Sequence, residues 1–186
     1  MAEEGQVKTA ELDAQAEATR RLALAQIRQY PDPVLRLEAQ EVEAFDADLA
    51  QLVSRMTRLM HDAQGVGLAA NQVGVLRRVV VLQAEGEEEP RVLVNPVILD
   101  RSGETEEETE GCLSLQGVIV PVERAVSLRV EARDAEGAPV ELELEGLAAR
   151  VAQHEVDHLD GVLIVDRTTA EGRREALAVL RQAAVF

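Results

Sequence analysis

The chain has 186 residues, with 35 acidic against 19 basic side chains and a net charge of −16. That length suits one domain with its own core, and that charge argues against a broad basic surface for nucleic acid. A single cysteine excludes an internal disulfide framework and fits a reducing compartment.

No stretch approaches the roughly 18 apolar residues of a membrane span. Residues 1–25, with Glu3, Glu4, Glu11, Asp13 and Glu17, lack the charged-then-apolar order of a signal peptide. A cytoplasmic protein is expected, without membrane contact.

In chain order, residues 10–26 are rich in helix formers but carry a weak apolar stripe. Residues 1–26 therefore read as an acidic extension, mobile or marginally helical, and removing residues 1–25 should leave activity almost unchanged. The domain is expected over 27–186, entered through "IRQYPDPVLR", where two prolines favour extended or turning backbone. Leu49, Leu52, Val53, Met56, Leu59 and Met60 recur at helical spacing before "QGVG" ends the run. "RRVVVLQ" and "RVLVNPVIL" read as strands around an acidic turn. "GETEEETEG" reads as a polar run, followed by "GVIVPVE", "AVSLRVEARD" and "APVELELEG". The last two alternate apolar and polar residues around a turn containing Gly137, as an antiparallel hairpin does. Helices from about Leu147 to Leu159 and from about Ala170 to Ala184 complete the pattern. The expected fold is α+β, with antiparallel sheets packed around the first of these helices and the second closing the chain.

That central helix carries "QHEVDHLDG". His154 and His158 stand four apart, hence on one face and able to grip one ion. Glu155 is rotated off that line, placed for a water rather than for the ion, as in zinc hydrolases. The third ligand is open at this level. Glu171 or Glu175 is the carboxylate choice, as in one class of zinc peptidase. His61, ending an amphipathic helix, reads as a surface or capping residue. Cys112, bracketed by Glu110, Gly111 and Ser114, is the sulfur choice, and a thiolate with two imidazoles leaves the fourth position open for catalysis. A purely structural metal would normally be closed by a fourth protein ligand, and the lack of a second cysteine or a well-placed further histidine disfavours it.

Three segments in this order, "GVGLAANQVG" (65–74), "EGCLS" (110–114) and "QHEVDHLDG" (153–161), resemble peptide deformylase. "PDPVLR" (31–36) and "NP" (95–96) are further landmarks, and the likeness runs from about residue 27 to the C-terminal helix. The resemblance implies Cys112, His154 and His158 as ligands of one divalent ion and Glu155 as general acid/base. It implies the Gln72 amide and the Leu113 main-chain N–H as donors to the scissile carbonyl. Gly67 and Gly111 fall against the substrate chain, Val66 beside the pocket for the first side chain, and Glu110 among the substrate-binding residues. The substrate implied is the formyl-Met end of new polypeptides, with formate released. Ferrous iron is the ion implied, with zinc, nickel or cobalt as substitutes, and soft sulfur suits either iron or zinc. Departures from the pattern are Asn71 and Gln116 where proline is common, and Val122 where many members have arginine, with Arg124 two residues on. Arg173, Arg174 and Arg181 fit either a local patch for transient ribosome contact or an ordinary solvated face.

The residues alone give a compatible chemistry. A divalent ion with an open position lowers the pKa of its water toward about 7. Glu155 accepts the proton and returns it to the leaving amine.

Overall fold

In a computed structural model of the chain, the backbone is described for residues 2–84 and 86–183, and side chains for 13–84 and 86–182. Residues 184–186, where the C-terminal helix and the domain were expected to end, lie outside the described residues.

Helix α1 runs Ala2–Leu24. Its last turn belongs to the core, because Ala23 and Leu24 are buried together with Ile27 against Leu49, Met56 and Met60. These three apolar positions make a patch of one turn, too short to raise periodicity over the whole stretch. Packing thus begins at Ala23, ahead of the boundary expected at Ile27. Deleting residues 1–25 would take Leu24 from the core, at about 2 kcal/mol for that side chain alone. The final turn of that stretch is therefore part of the folded domain.

Helix α2, Ala47–Asp62, starts where Asp46 caps it by accepting a hydrogen bond from Leu49 N–H at 3.0 Å. Leu49, Leu52, Met56, Leu59 and Met60 bury one face. A short strand β1 (Gly67–Ala69) and a 3-10 turn (Ala70–Val73) follow, closed by Gly74 in the left-handed region at φ 81°.

The larger sheet has the order β1, β2 (Val79–Leu82), β3 (Arg91–Arg101), β6 (Ser127–Arg133), β7 (Pro139–Glu145), every neighbouring pair antiparallel. Strand β2 is apolar throughout because both its faces are covered. Val79 and Val81 pack with α2, while Val80 and Leu82 join the cluster containing Ala149, Val151 and Ala152 of helix α3 (Gly146–Leu159). The hairpin around Gly137 forms as β6 and β7, in register from Ser127 opposite Glu145 to Arg133 opposite Pro139.

The polar run "GETEEETEG" is extended from Thr105 onward. It supplies strand β4 (Thr105–Gly111), paired with β5 (Ile119–Ala125) in a second, two-stranded antiparallel sheet. Glutamate is a poor strand former, but an edge strand facing water accepts charge. Arg150 of α3 ties it down, donating to the Glu106 carbonyl at 2.8 Å and pairing with Glu108 at 3.1 Å. The buried side of β5 packs Val120 and Val122 against Leu163, against Ile164 and Val165 of a short helix α4 (Ile164–Arg167), and against Ala176 and Leu180 of helix α5 (Ala170–Ala183). Among the described residues no helix is long and apolar enough to cross a membrane.

Candidate active site

Helix α3 presents His154 and His158 side by side, ring centroids 5.0 Å apart. The helix must stop soon after. Gly161 turns the chain at φ 72°, and a β-carbon there would stand 2.6 Å from the Arg36 carbonyl oxygen. Directly after β4, Cys112 brings Sγ to 3.2 Å from His158 Nε2. The ligand atoms of Cys112, His154 and His158 all lie within 4.8 Å of one another. Ligands bonded tetrahedrally at about 2.3 Å (sulfur) and about 2.1 Å (nitrogen) are about 3.5 Å apart, so this donor set fits one divalent ion. The carboxylate alternatives are elsewhere. Glu171 and Glu175 are exposed on α5, and Glu171 pairs with Arg174. His61 meets Gln83 Oε1 at 2.7 Å instead.

A buried set of charges holds the imidazoles. Glu110 Oε2 lies 3.0 Å from His154 Nδ1. Arg124 donates from Nε and Nη2 to the two oxygens of Glu110, each at 3.0 Å, and Arg150 Nη1 donates at 2.9 Å. Burial pushes the Glu110 carboxyl up, but these partners, His154 and Arg124 foremost, outweigh it and bring the pKa down to about 2. Arg124 also reaches Asp157 on α3 at 2.5 Å, and Arg167 grips the other oxygen of Asp157. Arg124, not the apolar Val122 two residues before it, therefore carries the charge at this end of β5. Burial lowers the pKa of His158 well below its ordinary value, with His154 adding to the effect, and so favours the neutral form a ligand needs. Burial opposes charge on His154 too, but hydrogen bonds with Cys112 and Glu110 raise its pKa.

The same cleft, of about 460 Å³, is lined by Val66, Gly67, Gln72, Glu110, Gly111, Cys112, Leu113, His154 and Glu155. All the residues expected from sequence line it except His158, which is buried behind Cys112. Glu155 is buried, and desolvation pushes its pKa up to about 7 against the pull of His154 and Arg124. Its Oε2 has no hydrogen-bond partner among the described residues. Gln72 is fixed at both ends of its amide. Oε1 accepts from Ala69 N–H at 2.8 Å, and Nε2 donates to Ser114 Oγ at 3.1 Å, 3.7 Å from Cys112 Sγ. Gly67 abuts the catalytic helix: a β-carbon there would overlap the Glu155 carboxylate and lie 2.7 Å from Val151 Cγ1. Gly111 has space, its nearest neighbour being the Val118 carbonyl oxygen at 3.7 Å. Glu110 lines the cleft, but its carboxylate is engaged by His154 and the arginines.

Sequence reasoning left Arg150, Asp157, Asn71 and Ser114 without roles. One signal was present, since Arg150 lies four residues before His154 and so on the same helical stripe. Asn71, at a position where proline is common, is buried and donates from Nδ2 to the His158 carbonyl, tying the Gln72 turn to α3. Its role follows from that long-range contact, which no local spacing reveals.

A cysteine sulfur, two imidazoles one helical turn apart and a buried carboxylate at an open cleft define a metallohydrolase. The match to the polypeptide deformylase family spans residues 24–174, and the chain belongs to that family. The peptide deformylase of Alkalilimnicola ehrlichii is 52% identical over 147 residues, 78% of this chain and 82% of the relative. The crystal structure of a peptide deformylase from Legionella pneumophila superposes with a TM-score of 0.80 at 42% identity, covering 85% of this chain and 94% of that one. The deformylase from Synechococcus elongatus, in complex with actinonin, gives 0.78 at 42% identity over 82% and 83%.

Proposed function

We propose that this chain carries out the family's reaction, hydrolysis of the formyl amide on the amino-terminal methionine of new polypeptides with release of formate, through the following residues. Cys112, His154 and His158 would hold one divalent ion, which would supply Lewis acidity at the reacting carbonyl. Glu155 takes the proton of the attacking water and returns it to the departing amine. Burial suits it to both tasks, because in the metal-free protein desolvation raises its carboxyl from the ordinary carboxylate range to about 7, the direction that lets one group both take and give a proton. The Gln72 amide and the Leu113 N–H are the donors for charge developing on the carbonyl oxygen, each worth about 3 kcal/mol when well aimed. Gly67 and Gly111 offer backbone edges to the substrate chain, and Val66, exposed at the cleft, flanks the methionine side chain. Glu110 acts by holding His154.

The observation that carries this reading is the convergence of Cys112, His154 and His158 beside Glu155 in one cleft. Its test is to load the protein with nickel or ferrous iron and offer a formyl-Met peptide beside casein. Formate release without proteolysis is expected, and cleavage of casein alone would replace the reading with a peptidase.

Ferrous iron is the proposed physiological ion, supported by the sulfur ligand, and zinc, nickel or cobalt are substitutes. A cytoplasmic setting accords with the single, unpaired cysteine as a metal ligand. Residues 1–22 are proposed as an extension attached to one catalytic domain. Transient ribosome contact through α5 belongs to the same reading, resting on exposed Arg173, Arg174 and Arg181; the first two already face Asp166 and Glu171.

A further inference from the structure

One wall of the catalytic cleft reaches outside the region matched to the family, through Arg20, with Leu24 as the first matched residue. Arg20 and Leu24 of α1 line it together with Gly65, Val66, Leu113 and Cys112. The position of α1 is fixed by the segment that follows it. Arg28 N–H donates to the Gln72 carbonyl at 2.7 Å, Gln29 Nε2 to the Leu113 carbonyl at 2.9 Å, and Tyr30 N–H to the Ser114 carbonyl at 2.9 Å. With Ala23 and Leu24 buried, the end of α1 is anchored both to the core and to the two loops that carry the carbonyl donors.

Arg20 is half-buried there, and its ion pair among the described residues is a long one, 3.9 Å to Glu17 on its own helix. The other arginine lining the cleft, Arg150, is consumed by Glu108 and Glu110. In a chain of net charge −16, a cation with spare donors inside the substrate cleft is a local reversal of the field. A guanidinium offers a planar fork of donors that matches a carboxylate.

We propose that Arg20 is a specificity residue of this enzyme, pairing with a carboxylate carried by the peptide downstream of the formyl-methionine, with Leu24 as the apolar floor beneath it. This rests on the deformylase reading and adds a preference to it. The preference is expressed in binding, so it falls on KM more than on kcat.

The test uses full-length, nickel-loaded protein and formyl-Met peptides with amidated C-termini, carrying Ala, Asp or Lys at each of the next three positions. Wild type should favour an Asp peptide over its Ala counterpart at one or more positions. Arg20→Glu should lower the Asp-to-Ala ratio of kcat/KM about three- to tenfold, through KM, as one partly solvated charge pair allows. Arg20→Lys should restore most of that ratio, which a purely structural role would not predict. Arg21→Glu makes the same charge change on the exposed side of the helix and should leave the ratio alone. An equal effect from Arg21→Glu would assign the preference to the general field and overturn the proposal, as would a wild-type ratio indifferent to Asp. Failure of wild type to release formate from any of these peptides would instead overturn the deformylase reading itself.

Discussion

Glu110 Oε2 stands 3.0 Å from His154 Nδ1, which fixes the ring so that Nε2 turns toward Cys112 and His158. A carboxylate behind a ligating imidazole sets its tautomer and raises its basicity. Glu110→Gln should therefore weaken divalent-ion affinity about 10- to 100-fold, read by competition with a chelator. Unchanged affinity would mean that His154 is oriented by packing alone.

The same carboxylate makes stability depend on acidity. Its pKa in the folded protein is about 2 against an ordinary 4.5, so the fold favours the charged form. The contribution is complete above about pH 4.5 and is lost as pH falls toward about 2. In metal-free protein the stability gap between wild type and Glu110→Gln should be widest near pH 6 and shrink steadily down to pH 3. Denaturant midpoints across that range check it; a gap that grows on acidification would contradict the assignment.

Gly67→Ala is expected to disable the enzyme without unfolding it. The added methyl would run into Glu155 and Val151, and displacing a catalytic group by about 1 Å costs on the order of 100-fold. Metal content should stay stoichiometric while kcat drops. Gly111→Ala is the contrast: with 3.7 Å to its nearest neighbour, it should match wild type in thermal stability.

Removing the carboxylate itself separates proton transfer from metal binding. Glu155→Ala should retain the ion, since Cys112, His154 and His158 remain, and lose turnover by about 100- to 10,000-fold. Metal analysis beside formate release measures both. Near-normal turnover would shift the acid/base role to another group.

The parts of this site that are local in sequence were legible there, and the parts made by long-range contact were not. The four-residue spacing of His154 and His158 and the place of Glu155 between them follow from helical geometry. Cys112 could only be nominated, because the choice between it and Glu171 or Glu175 depends on how β4 and α5 pack. The β6–β7 hairpin shows its alternation openly. Strand β4 does not, since its glutamates are held by Arg150 from a helix 40 residues on. The charge cluster of Arg124, Glu110 and Asp157 joins two strands to α3, and no single stretch of sequence contains it. Likewise the final turn of α1 enters the core through Ala23 and Leu24, a contact too small to shape the periodicity around it.

Cys112 is the residue on which the ligand set turns. Its Sγ lies 3.2 Å from His158 Nε2 and it is partly exposed along the cleft. Cys112→Ser keeps the size of the side chain but replaces a thiolate with a neutral hydroxyl, a poor ligand for a soft or borderline ion. That variant should bind metal weakly and lose most activity. Glu171→Ala and Glu175→Ala, changing exposed residues on α5, should leave metal content as in wild type. The thiolate also sets the sensitivity to oxidants, because it is the form of cysteine that oxidises to sulfenic and sulfinic acid. Small oxidants reach Cys112 through the cleft, so iron-loaded protein should lose activity in air, with an added mass of oxygen atoms on the peptide containing Cys112. Nickel-loaded protein should lose activity far more slowly, since that ion does not readily change oxidation state with these ligands. Mass spectrometry of the two forms after equal exposure, beside metal analysis of the three variants, measures every part of this. Full metal occupancy in Cys112→Ser would remove sulfur from the ligand set.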